Sequence, residues 1–105
     1  MCWQAGAVLP GHRHAVDAEI LGQPVPRALA RRAAGLPPER VWWLWTRAEA
    51  RAKVLDVPIL VWISRVDWLA DAAHPSGGAY DETAVLTRHL DDLVVSHAVR
   101  PSARR

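Results

Sequence analysis

The sequence predicts one α+β domain, and three stretches carry that expectation. Residues 39–55 contain no glycine or proline and repeat apolar side chains at helical spacing. Ala15-Val16-Asp17-Ala18-Glu19-Ile20-Leu21 alternates as a strand does. The runs 83–90 and 93–99 flank Asp91-Asp92 like the arms of a hairpin around a tight turn. The order is strand, short helix, long helix, helix or strand, then hairpin, which is an α+β pattern. The expected organisation is an irregular N-terminal segment over 1–11, one domain over 12–100 and a basic tail over 101–105.

Pro10-Gly11 reads as a turn, after which His12, Arg13 and His14 lead into the first strand. Strand side chains alternate, so Val16, Ala18 and Ile20 share one face and Asp17 and Glu19 the other. A rise of roughly 3.3 Å per residue puts the two acidic Cα atoms about 7 Å apart. Such a pair is close enough to converge on one cation, and it is also what the solvated face of an edge strand looks like. Gly22 to Pro26 turns the chain into a short helix over 25–34, with Ala28, Leu29 and Ala33 inward and Arg27, Arg31 and Arg32 outward. Gly35 suits the C-terminal stop.

Pro37-Pro38 opens the long helix, because proline is tolerated in a first turn and not in the interior. Val41, Leu44, Trp45, Ala48, Ala52 and Leu55 then form one apolar stripe. Glu49 sits at its edge between Ala48 and Ala52, so its carboxylate is expected to be partly buried and paired, hydrogen-bonded or metal-bound. Lys53 follows one turn later, adjacent on the helix surface; a plain pair of this kind is worth about 0.2–0.5 kcal/mol. Trp42 and Trp43 cannot both enter one core, so one is expected at an interface or under the final hairpin. Asp56-Val57-Pro58 ends the helix. Ile59 to Ile63 is a buried strand or a further helix, and the spacing of Leu60, Ile63, Val66 or Asp67, and Leu69 fits the helix better. Residues 74–79, with Pro75, Gly77 and Gly78, form a loop.

A chain of 105 residues supports one modest core, and 50% hydrophobic residues exclude a disordered composition. Six tryptophans and no phenylalanine leave much of the packing to a few large side chains. The net charge is only +2, but five arginines fall between Arg27 and Arg47 and two more, Arg104 and Arg105, close the chain. That distribution suits a local anionic partner more than a nucleic acid. The alanines and prolines of 27–40 also leave no side chains to read bases. Cys2 is the only cysteine, which excludes an internal disulfide and a cysteine-based zinc site. There is no Gly-rich phosphate loop, no nucleophile elbow and no histidine pair at helical zinc spacing. Ile59 to Ile63 is too short to span a bilayer, and the N-terminus lacks a secretory pattern. A cytoplasmic protein with neither membrane nor nucleic-acid partner is expected.

Two motifs narrow the reading. Ala15-Val16-Asp17-Ala18-Glu19 and Trp45-Thr46-Arg47-Ala48-Glu49-Ala50-Arg51-Ala52-Lys53 resemble the strand Gly-Val-Asp-Val-Glu and the helix Trp-Thr-x-Lys-Glu-Ala-x-x-Lys of the 4'-phosphopantetheinyl transferase superfamily. Ala28-Leu29-Ala30-Arg31-Arg32 with Leu36-Pro37-Pro38-Glu39-Arg40, and the closing run 90–99, are similar to its short helix and last hairpin. The resemblance covers most of 13–99 and is specific in the two motifs. It implies a half-length fold of that family and Mg²⁺-dependent transfer of the phosphopantetheine arm of coenzyme A to a serine of an acyl or peptidyl carrier protein. It further implies Asp17, Glu19 and Glu49 as metal ligands, Glu49 as proton acceptor and Lys53 as a phosphate contact, with Arg47 and His14 as further contacts to coenzyme A.

Departures from the pattern set a second reading beside this one. The lysine usual before the helix glutamate is Ala48, the strand glycine is Ala15, and the stretch between Asp17 and Glu49 is short. Nothing before His12 resembles the second half of the larger members, so a short chain is expected to complete its cleft as a homo-oligomer. The alternatives are a catalytically degenerate relative that binds a carrier protein without chemistry, or a tryptophan-rich helical interaction module. The direction of Asp17 and Glu19 relative to Glu49 separates them.

Overall fold

The computed structural model describes residues 11–65, 67–73 and 83–101. Along the chain it contains β1 (His12–Ile20), α1 (Arg27–Arg32), α2 (Pro38–Val54), α3 (Ile59–Arg65), α4 (Trp68–Ala73), β2 (Ala84–Leu90) and β3 (Leu93–Pro101). The class is therefore α+β, with a three-stranded antiparallel sheet in the order β1-β3-β2 and four helices among the described residues. The expected irregular segment before residue 11, the loop over 74–79 and the basic tail after 101 lie outside the described residues.

The helix α2 organises the rest. It packs on all three strands and, on its other flank, on α3 and α4. One apolar cluster joins Val41, Leu44 and Ala48 to Leu29, Ile63 and Trp68; a smaller one sets Ala50 and Val54 against Val85 and Ala98 of the sheet. A helix covered on both flanks is buried nearly all round, and the single apolar stripe expected from the sequence is too narrow. Thr46, Arg47 and Arg51 are buried as well, at 0%, 4% and 1% exposure.

Buried polar groups require partners, and those on the sheet side of α2 form a chain. Arg47 donates to the Ala72 and Val85 carbonyls and to Thr87 Oγ1. Thr87 and Ser96 hydroxyls are 2.9 Å apart, Ser96 and Thr46 hydroxyls 2.8 Å, and Thr46 Oγ1 donates to the Trp43 carbonyl at 3.1 Å. A hydroxyl offers one proton, so the run has one consistent direction: Arg47 to Thr87, Thr87 to Ser96, Ser96 to Thr46, Thr46 to the backbone. The tryptophans supply bulk elsewhere. Trp42 is 4% exposed with its Nε1–H on the Gln23 carbonyl at 3.2 Å, and Trp45 meets Trp68 edge to face at 6.1 Å.

The ends of the elements follow local chemistry. Gly35 takes φ 77° after α1, as its C-terminal role requires, although Ala34 before it is also left-handed at 56°. At the end of α2 the Asp56 N–H reaches the Lys53 carbonyl and the Val57 N–H the Ala52 carbonyl, at 3.0 and 2.9 Å. This is a Schellman closure with aspartate at φ 61° where glycine is usual, and Pro58 prevents continuation. The stretch after Pro58 is helical, as its spacing favours, though split into α3 and α4. The hairpin turns at Asp91, φ 56°, where the sequence places it.

The short helix departs from its expected form in two ways. α1 spans only six residues, not the whole of 25–34, because Pro26 fixes its start and the left-handed pair Ala34-Gly35 its end, and on this shorter helix Ala28 is exposed while Leu29 and Ala33 are buried. The two adjacent tryptophans part company: Trp42 is in the core, and Trp43 is half-buried with the Arg40 and Arg47 guanidinium groups 4.5 and 4.7 Å from its ring centroid. Among the described residues the exposed large apolar side chains are Ile20, Leu60, Leu86 and Leu90, of which Ile20, Leu86 and Leu90 lie on the sheet face opposite α2. No helix among the described residues is long and apolar enough to cross a membrane.

The hydroxyl chain is open to test. Ser96→Ala removes the middle link and leaves Thr87 without its acceptor, so unfolding in urea should show a loss of about 1–3 kcal/mol with an unchanged m value.

Candidate functional site

β1 is an edge strand, paired only with β3, and its faces are the reverse of the usual arrangement. Asp17 and Glu19 point toward α2, whereas Ala18 and Ile20 on the opposite face are exposed. A polar face can turn inward here because α2 meets it with Glu49 and Lys53 rather than with apolar side chains. The ladder fixes the register: Asp17 lies opposite Ser96 and Glu19 opposite Val94 of β3. Carboxylate oxygens of Asp17, Glu19 and Glu49 come within 4.8 Å of one another. The two motifs, separated by the 25 residues from 20 to 44, thus meet at one place.

Each carboxylate is held differently. Glu19 Oε1 accepts from Gln23 Nε2 at 2.7 Å, four residues on across the turn. Asp17 Oδ1 accepts from Lys53 Nζ at 3.1 Å, and the same ammonium donates to the Val16 carbonyl at 2.9 Å. Asp17 Oδ2 is buried with no hydrogen-bond partner, on a residue only 9% exposed. Burial first, then the Glu49 charge, raise the Asp17 carboxyl from 3.8 to about 7, against the opposing pull of Lys53. Ionised carboxylates this close repel by roughly 3 kcal/mol per pair at an effective dielectric near 20. Three negative groups with one ammonium leave a formal charge of −2, so the cluster is complementary to a divalent cation. Carboxylate oxygens are donors for a hard divalent cation, and the unpartnered Asp17 Oδ2 is one such oxygen.

The other expected site residues do not come to this place. Arg47 is drawn away by its bonds to Ala72, Val85 and Thr87, and its position one hundred degrees or more around the helix from Glu49 aims it at α4 and β2. His14 is on the far face of the sheet, its Nδ1 2.8 Å from His97 Nε2 and its ring stacked on that of His97 at 5.0 Å. Strand alternation alone separates it from Asp17, three residues on. Lys53 does reach the cluster, but contacts Asp17 and the strand backbone. Gln23 was not foreseen; it falls in a turn, where periodicity gives no signal.

One opening borders the cluster at Glu19 and another lies beside Lys53. A groove of about 380 Å³ runs from Glu19 and Gln23 past Leu29, Trp42, Trp45 and Ile63. A shallower depression of about 390 Å³ adjoins Lys53, bounded by Ala52, Asp56, Val57 and Pro58. Comparison with protein-family models, curated proteins and solved structures finds no match for the chain.

The raised carboxyl has a consequence for stability. Asp17 favours the fold below its unfolded value of 3.8, and that contribution is lost as pH rises toward about 7. In metal-free buffer at pH 8, Asp17→Asn should therefore be more stable than the native chain by about 1–3 kcal/mol, the difference closing toward pH 4, as read by urea unfolding across that range.

Proposed function

We propose that the chain is a short, single-half member of the 4'-phosphopantetheinyl transferase superfamily, and that it moves the phosphopantetheine arm of coenzyme A onto a serine of an acyl or peptidyl carrier protein. One observation carries the reading: the acidic strand motif and the Trp-Thr helix motif, far apart in sequence, bring three carboxylates together. Had Asp17 and Glu19 faced away from Glu49, the two motifs would have had no common chemistry.

In this reading Asp17, Glu19 and Glu49 hold Mg²⁺, which, when bound, supplies positive charge to the pyrophosphate of coenzyme A. The carrier serine hydroxyl attacks the phosphorus that bears the pantetheine arm; its P–O bond forms as the bond to the 3',5'-ADP oxygen breaks, and 3',5'-ADP leaves. Glu49 is the carboxylate that takes the serine proton, since it makes no hydrogen bond among the described residues and Asp17 and Glu19 are each already engaged. Lys53, its side chain half exposed, is placed to meet a phosphate oxygen from the depression beside it. The exposed arginines Arg27, Arg31 and Arg32 of α1 form a cationic face suited to an acidic carrier helix. The groove past Trp42 and Trp45 gives a flexible arm an apolar path away from Glu19. Self-association would complete the cleft, and the exposed Ile20, Leu86 and Leu90 face is the apolar surface it would cover.

A second reading has its own observation. Ala48 occupies the place of the family's lysine and is 0% exposed within the core, so this position has been given to packing. A chain that binds a carrier protein or coenzyme A without transfer would show this change.

Mass spectrometry of apo carrier proteins incubated with the chain, coenzyme A and Mg²⁺ decides between them. The expected result is a gain of one phosphopantetheine arm, lost with Glu49→Gln and with EDTA. A folded chain that modifies no carrier would leave the binding reading in place of the transferase. Sedimentation should also detect self-association at micromolar concentration, reduced in Leu86→Glu.

A further inference from the structure

The ammonium of Lys53 lies where an opposing charge is needed most. It bridges Asp17 Oδ1 and the Val16 carbonyl of the edge strand, and Asp17 belongs to the group of three carboxylates whose oxygens lie within 4.8 Å of one another. The partner it holds is asymmetric to it in mobility: Asp17 is 9% exposed and fixed by the β1–β3 ladder, whereas the Lys53 side chain is 49% exposed on a flexible stem. Of the two, Lys53 is the one that can leave at small cost. The second oxygen of Asp17 is buried and unpartnered, so the carboxylate is only half satisfied by the lysine. A dication on that oxygen and the ammonium on the other would share one carboxylate and repel one another, an effect moderated by the solvent that reaches the half-exposed Lys53. Ammonium and dication therefore oppose one another at Asp17.

We propose that Lys53 is the resident counter-ion of the acidic cluster, that it competes with a divalent cation for Asp17, and that it is released toward the adjoining depression when the cation binds. The inference rests on the reading of Asp17, Glu19 and Glu49 as a cation site, and it gives that site an order: the lysine becomes available to a phosphate only after the cation is in place. The same side chain thus serves the empty and the loaded cluster in turn, with the depression bounded by Ala52, Asp56, Val57 and Pro58 as the place it moves toward.

The test is Mn²⁺ binding by calorimetry at pH 8 for the native chain, Lys53→Gln and Asp17→Asn, without coenzyme A. Alongside it, the lysine ammonium resonances of the native chain are followed by NMR during a Mg²⁺ titration. Lys53→Gln should bind Mn²⁺ about two- to fivefold more tightly, the range an exposed ion pair supports, and Asp17→Asn should lose most binding. The Lys53 ammonium signal should shift or exchange away as Mg²⁺ is added. Equal or weaker Mn²⁺ binding by Lys53→Gln, with the ammonium signal unchanged at saturating Mg²⁺, would overturn the counter-ion role while leaving the cation site standing. Absence of cation binding by both the native chain and Lys53→Gln would overturn the cation reading, and this inference with it.

Discussion

The close approach of α2 to the sheet is the constraint on which the rest of the molecule depends. Ala50 on the helix and Ala98 on β3 are both fully buried at that contact, with Ala15 packed beside them, and side chains this small let the helix lie low on the strands. At that distance the flanking positions of the helix cannot avoid the strands. Thr46 comes onto Ser96, and Glu49 and Lys53 come onto the β1 carboxylates. A bulkier contact would hold the helix off the sheet and pull the acidic cluster apart without touching any of its members. The core geometry and the candidate site are thus one feature seen from two sides.

That approach also decides which polar groups are buried and obliges the fold to satisfy them. Arg47 holds α4 and β2 through the Ala72 and Val85 carbonyls, so its charge serves cohesion rather than ligand binding. Burial, followed by the nearby Arg51 and Arg40, pushes its pKa down, which a guanidinium can absorb while staying protonated. On the far face of the sheet the paired rings of His14 and His97 lie among half-buried valines, and burial with His14 and Arg88 nearby lowers the His97 pKa. Both groups that looked like ligands in the sequence are therefore accounted for by packing.

Much of the fold was legible because its signals are local. The proline start of α2, the left-handed Gly35, the Pro58 break and the Asp91-Asp92 turn are each written in one or two residues; α2 and the hairpin fall where these place them, while α1 is shorter at both ends. The long helix and the alternating strand likewise brought out Asp17, Glu19, Glu49 and Lys53, because their spacing within each motif needs no tertiary information. What the sequence does not carry is which face of β1 turns inward. Val16, Ala18 and Ile20 alternate with Asp17 and Glu19, and hydrophobicity alone would bury the first set; the choice is made by Glu49 and Lys53 on α2. Arg47 was misplaced for a related reason: two side chains in one helical motif, Arg47 and Glu49, point in quite different directions. Gln23 reaches Glu19 through a turn, where no period exists to reveal it.

The inverted strand also explains why the cluster is costly to the fold that contains it. Ile20 is left half exposed so that two carboxylates can be turned toward a third, and Asp17 keeps an oxygen without a partner. Exchanging faces would satisfy hydrophobicity and remove the repulsion, and a strand at the sheet edge, with only one neighbour to fix its register, is free to be built either way. The fold keeps this arrangement and spans it with Lys53, which donates to Asp17 Oδ1 and to the Val16 carbonyl. A buried carboxylate oxygen without a partner, with two further carboxylates beside it, is a conflict of charge that a bound cation would relieve.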